Sequence, residues 1–228
     1  MEKEKRVFLY ESYEPSQRST ERYINSLGIA AKVHQYNNLL KAFEIAKNED
    51  YDLAIIDVVQ PRLIGLLVAE AFLKFKPATK ILIITPFHVS WLVQVCYNLK
   101  FNAYFSKQDD IEDYKNALIS LLNGKNYLAD KYKIDIHQTE YPEKHSYHFL
   151  PNELKKVYPF LIRGFSCEDI APKIAMRVED VAQQRDAIYK MARVQTPAEL
   201  IIYNYNLELN EFRVFDEERT YSLPKTNK

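Results

Sequence analysis

The chain of 228 residues is short of the residues that build special sites: four glycines, two cysteines and one tryptophan. So few glycines leave little room for a phosphate-cradling loop, and no GxxxxGK run is present. Cys96 and Cys167 stand far apart with no CxxC, so neither a disulfide framework nor a cysteine zinc site is expected. HExxH and a Ser/His/Asp elbow are missing too, so an enzyme is not expected. No apolar run reaches the roughly 18 residues that a membrane span needs. The opening MEKEKRVFLY lacks the apolar core of a signal peptide, which points to a cytoplasmic protein with no membrane partner. Charge is balanced, 31 Lys+Arg against 31 Asp+Glu, excluding both a strongly basic coat and an acidic tail.

What remains is an ordinary globular composition, 47% hydrophobic and 27% charged. At roughly 100–200 residues per domain, the length allows one large domain or two modest ones. Over residues 1–125 two periods alternate. Val7–Tyr10, Ala31–Tyr36, Leu53–Ile56, Ile81–Thr85 and Ala103–Phe105 read as strands. Ser19–Leu27, a run from Leu39, Leu66–Phe75, Val89–Leu99 and Ile111–Leu122 read as helices, with Gly28 and Gly124 as stops. Parallel strands need crossover helices, so the fold class is α/β: a doubly wound, five-stranded parallel sheet. Residues 126–148 are polar, hold three of the five histidines and read as a linker. Residues 149–205 carry only short helices, Glu153–Ile162, Cys167–Ile174, Glu179–Met191 and Pro197–Tyr205, an all-α unit. Residues 206–228 form a charged tail.

Ligands of doubly wound sheets bind at the C-terminal ends of the strands. Asp57 ends the third strand, Glu11 follows the first, Thr85 ends the fourth and Lys107 follows the fifth. Two carboxylates, a hydroxyl and an ammonium suit a phosphorylated aspartate with Mg²⁺: Glu11 and Asp57 hold the metal, Thr85 and Lys107 bond phosphoryl oxygens.

These residues resemble those of response-regulator receiver domains, over about 120 residues. The family's phosphoacceptor aspartate has a proline four positions on and a glycine eight on, as Asp57, Pro61 and Gly65 stand here. Thr85 matches its hydroxyl residue, Tyr104 its switch aromatic, and Lys107 its lysine. The resemblance implies a CheY-like fold, Asp57 as phosphoacceptor, and a sensor histidine kinase as partner. Two departures bear on the chemistry. Glu11-Ser12 replaces the usual pair of acids, which weakens Mg²⁺ binding without forbidding it. Pro86 follows Thr85 where a small residue is usual, stiffening the loop and removing a backbone donor.

The second half resembles the LuxR/NarL-type helix-turn-helix, on the stretch Gly164-Phe-Ser through Ile170-Ala171, Ile174, Val178 and Val181. Pro172 inside the first helix of the motif and Asp180 near the start of the second depart from the pattern. The resemblance implies double-stranded promoter DNA as partner, bound by a homodimer, with Pro197–Tyr205 often the dimer surface. Gln183 and Gln184 would read base edges, and Lys173, Arg177, Arg185 and Lys190 would meet phosphates. Leu150–Leu200 holds eight Lys+Arg against seven Asp+Glu, so affinity from counterion release is expected to be modest.

The expectation is a transcription factor of the two-component type. Its alternative is a protein-interaction regulator with a degenerate receiver and little DNA binding.

Overall fold

A computed structural model describes residues 4–29, 31–58, 63–86, 88–137 and 150–211. Pro61, the linker from residue 138 to 149 and the tail from 212 lie outside the described residues. The first half is the expected alternation: β1 Lys5–Tyr10, α1 Glu14–Ser26, β2 Ala31–Tyr36, α2 Leu39–Asn48, β3 Leu53–Asp57, α3 Gly65–Phe75, β4 Lys80–Thr85, α4 Ser90–Asn98, β5 Ala103–Ser106 and α5 Ile111–Leu122. The strands form one parallel sheet in the order β2-β1-β3-β4-β5.

Strand side chains alternate between two cores. Phe8, Ala54, Ile56, Ile81 and Ile83 face α2, α3 and α4, whereas Val7, Leu9, Leu53, Ile55, Leu82 and Ile84 face α1 and α5. β3 is buried along its whole length, which explains its unbroken apolar run. In register Asp57 lies beside Ile84 and Thr85 beside Ser106, so the strand ends finish level.

Several helix boundaries depart from the sequence reading. α1 starts at Glu14 rather than Ser19, because Pro15 sits in its first turn, where a missing N–H leaves no bond unmade. The helix expected over Glu153–Ile162 contracts to α6, Tyr158–Leu161, preceded by successive turns. Pro159 there can neither donate to the preceding turn nor fit a helix interior, so the helix cannot extend back through it.

α7 (Cys167–Ile170) is closed by its N-cap Ser166, whose Oγ accepts from Asp169 N–H at 3.2 Å. Pro172 turns the rest of the expected helix into a 3-10 turn, Ala171–Lys173. α8 (Val178–Ala192) follows, and α9 (Pro197–Glu211) closes the described chain. Among the described residues no helix is long and apolar enough to cross a membrane.

The two halves pack on each other through α9. Leu200 joins the core of the helical half, while Ala198, Ile201 and Ile202 join the core around α3 and α4. Each isoleucine so buried contributes roughly 1.5–3 kcal/mol. Asn98 at the end of α4 donates to the Arg163 carbonyl at 2.8 Å. Gly164, at φ +77°, sits against Leu99.

Glu70 on α3 accepts from the Ala198 N–H at 3.3 Å, in the first turn of α9. Burial raises its carboxyl above the ordinary value, helped by Glu199 and opposed by hydrogen bonds from Thr196 and Ala198. A carboxyl raised in the docked state binds its proton more tightly there than in the separated state. Docking is therefore strongest in the acid range and weakens as pH rises through the raised value. Glu70→Gln, neutral and still an acceptor, is expected to flatten this dependence on the alkaline side of the ordinary carboxyl value. It should leave neutral-pH stability unchanged or higher by up to about 1 kcal/mol, read by denaturant titration.

Candidate functional site

The level strand ends bring Glu11, Asp57, Thr85 and Lys107 together at the C-terminal edge of the sheet. Glu11 and Asp57 are each 2% exposed. Lys107 Nζ donates to Asp57 Oδ2 at 2.8 Å and to Glu11 Oε2, so one ammonium bridges both carboxylates. Burial alone would pull the Lys107 ammonium down. The hydrogen bonds and charges of Asp57 and Glu11 outweigh it and hold the group above the ordinary lysine value. The three side chains leave one formal negative charge in a buried site, the sign that attracts a cation.

Two residues that sequence reasoning missed complete the pocket. Ser16 Oγ donates to Glu11 Oε2 at 2.9 Å and accepts from Lys107 Nζ at 3.2 Å. Gln17 is buried, and its Nε2 donates to the Glu11 carbonyl at 2.6 Å and to the Tyr36 carbonyl at 3.2 Å. Both lie on the extra turn that α1 gains by starting at Glu14. Ser12, in the place of the usual second acid, is exposed. The only available signal was Pro15 as a helix-start residue.

Gly65 lets α3 begin against β3: a Cβ there would stand 2.3 Å from the Asp57 carbonyl oxygen. Across the pocket, Thr85 and Tyr104 form a pair, with Tyr104 Oη 2.9 Å from Thr85 Oγ1. Tyr104 Oη also accepts from Val89 N–H at 3.2 Å. Tyr104 is 2% exposed, so its ring lies inward, and burial pushes its phenol well above the ordinary value. Around it, His88 Nε2 lies 2.8 Å from Asp135 Oδ2, Trp91 packs near Tyr205 of α9, and the Cys96 thiol is buried.

The donor set meets the least that Mg²⁺ requires, one or two carboxylates with water completing six-fold coordination. Glu11 and Asp57 supply those carboxylates. Among the described residues no cluster of three or more His, Cys, Asp or Glu is placed to hold a metal.

On α8, Gln183, Asp186 and Lys190 are exposed at three- to seven-residue spacing and so share one outer face. Other candidates are engaged within the chain. Gln184 Nε2 donates to Met176 Sδ at 3.9 Å. Arg185 bonds Asp186 at 2.8 and 3.0 Å and reaches Cys167 Sγ at 3.5 Å. Arg177 grips Asp180 in a bidentate pair, 2.7 and 2.9 Å. Lys173 is exposed, with its ammonium 5.4 Å from the Phe165 ring centre.

Residues 7–119 match the family described as the response regulator receiver domain. The chain is 24% identical over 170 residues to the Fimbriae Z protein of Salmonella typhimurium, covering 74% of this chain and 80% of that one. It is 24% identical over 160 residues to the transcriptional regulatory protein DesR of Bacillus subtilis, covering 70% and 76%. Among solved structures, that of two RcsB dimers bound to two parallel DNAs superposes with a TM-score of 0.55 at 14% identity. The superposition covers 88% of this chain and 98% of that one, so the likeness of fold extends through the helical half. With the acid–lysine–threonine pocket in place, residues 7–119 belong to the response regulator receiver domain family.

Proposed function

We propose that this protein is a DNA-binding transcription regulator of a two-component system, with Asp57 as the phosphoacceptor of its receiver. The observation that carries this reading is the presence, in one chain, of the Glu11–Asp57–Lys107 pocket and a turn-linked helix pair whose second helix shows a polar outer face. In this reading the Asp57 carboxylate is the nucleophile, and Lys107, now bonded to it at 2.8 Å, and Thr85 bond the transferred phosphoryl oxygens. Mg²⁺ would be held by Glu11 and Asp57 and would neutralise charge on the incoming phosphoryl group. A sensor histidine kinase is the natural donor, and the cytoplasm the compartment.

In this reading α8 enters the major groove of a promoter half-site. Gln183 reads a base edge, and Lys190, with Lys173 and Arg177 beside it, meets phosphates. Arg177 does so by leaving Asp180, and Gln184 and Arg185 join them only by leaving Met176, Cys167 and Asp186. A homodimer supplies the second half-site, which compensates for a recognition unit of low net charge. Ala198, Ile201 and Ile202 of α9 are already buried against the receiver. Pairing two copies through that face therefore requires α9 to leave it. Receiver phosphorylation would act on that equilibrium.

The test is retention of fragmented genomic DNA by the full chain at two salt concentrations, with competitor. A few discrete fragments, retained less as salt rises, support the reading. No enrichment at low salt, with or without acetyl phosphate and Mg²⁺, overturns it. On a retained fragment, Lys190→Ala is expected to weaken binding to all sequences alike and to lower the salt slope by about one. Gln183→Ala should instead relax preference at one base pair, a change of roughly 1–3 kcal/mol. Competition binding across point-mutated fragments separates the two.

A further inference from the structure

The first stretch of the segment between the two halves, within residues 126–137, is fastened onto the face that carries the switch aromatic. Tyr132 is 1% exposed, and its ring meets Tyr104 edge-on, centroids 4.9 Å apart at 86°. Its hydroxyl donates to Asp109 Oδ2 and accepts from Ser106 N–H at 3.3 Å, one residue before Lys107. Lys131 fastens the segment on one side, with Nζ 2.9 Å from Asp109 and 2.8 Å from Asp113. Asp135 fastens it on the other, through His88. Tyr104 is itself 2% exposed with the Tyr132 ring edge-on against it, so turning Tyr104 outward past that ring requires the contact to break.

We propose that Tyr132 is the positioning residue that holds Tyr104 inward on Thr85, so that the docking of the interdomain segment sets the receiver's switch. The coupling runs both ways. Tyr104 can turn outward only if Tyr132 lifts, and lifting Tyr132 frees the segment that tethers the helical half. A pull on that tether, as when the helical half changes position, then reaches the pocket through Tyr104, Thr85 and the backbone beside Lys107. The inference rests on reading the first half as a switch. It does not need phosphate, metal or DNA, and neither does its test.

Tetranitromethane nitrates accessible phenolates, and peptide mass spectrometry locates each nitrated tyrosine in the full chain. Tyr13, 64% exposed, is the reactive reference, and Tyr10 and Tyr158, at 2% and 1%, report the fold of each half. Wild-type Tyr104 is expected to be as protected as Tyr10. In Tyr132→Ala its nitration should rise several-fold, to about tenfold, the range set by losing one edge-on ring contact. Tyr10 and Tyr158 should stay protected. Tyr132→Phe, which keeps the ring over Tyr104, should restore protection. Equal protection of Tyr104 in wild type and Tyr132→Ala, or a reactive Tyr104 in wild type, overturns the proposal. If Tyr132→Ala also exposes Tyr10 or Tyr158, the Lys131→Ala/Asp135→Ala variant decides, since it keeps the Tyr132 side chain but cuts the ion pairs that dock its ring on Tyr104. A rise at Tyr104 there supports the proposal, and no rise overturns it.

Discussion

Gly65→Ala is expected to lower stability by about 2–3 kcal/mol and to abolish phosphoryl acceptance at Asp57, although it adds a single methyl group. The added Cβ would lie 2.3 Å from the Asp57 carbonyl oxygen and 2.9 Å from Val58 Cα. Both neighbours are backbone, so neither can rotate away as a side chain would. Relief needs the start of α3 or the end of β3 to move, and either movement takes Asp57 from its 2.8 Å bond with Lys107. Leu63, two residues earlier, already sits in the left-handed region at φ 63° while buried, so this turn has little slack. Gly28→Ala is the control. It also places a methyl on a glycine, at φ +69°, but with nothing within 4 Å. Its cost is the backbone term alone, about 1 kcal/mol. Denaturation midpoints at constant slope should separate the two variants, and acetyl phosphate with Mg²⁺ should label Gly28→Ala but not Gly65→Ala.

The spacing of Asp57 and Gly65 was visible in the sequence, and so was the order of the four pocket residues. Runs such as LAIID and ILIIT announce strands buried on both faces, and parallel topology then forces their C-terminal ends to one edge. Ser16 and Gln17 were hidden for a physical reason. Their roles depend on α1 starting at Glu14, and a polar first turn gives no periodic signal. Tyr132 was hidden for another. It sits in a 3-10 turn that docks by single side chains, so the segment reads as aperiodic and polar. α9 shows a third limit. Leu200, Ile201 and Ile202 in succession announce a helix buried on more than one side, yet composition cannot say that one side meets α3 and α4 of the other half.

Lys107→Met is expected to destabilise the fold by about 2–3 kcal/mol, because it leaves two buried carboxylates facing each other without their shared cation. Lys107 is itself partly exposed, which keeps the figure below that of a fully enclosed pair. The charge argument makes the loss conditional in two ways. Adding Mg²⁺ should recover part of it, since the metal supplies positive charge to the same carboxylates, and the recovery should exceed any gain in wild type. Glu11→Gln in the Lys107→Met background should also recover part, although Glu11→Gln alone removes a partner of Lys107 and destabilises. That reversal of sign separates charge from packing, because a loss due only to the missing lysine stem would be indifferent to Glu11. Wild type has its own signature. Lys107 is raised in the folded state, so its contribution is complete below the ordinary lysine value and is lost as pH climbs through the raised one. The stability gap between wild type and Lys107→Met should therefore hold steady across the neutral range and close only on the alkaline side. A gap that stayed open there would mean that the ammonium's charge is not what the pocket uses.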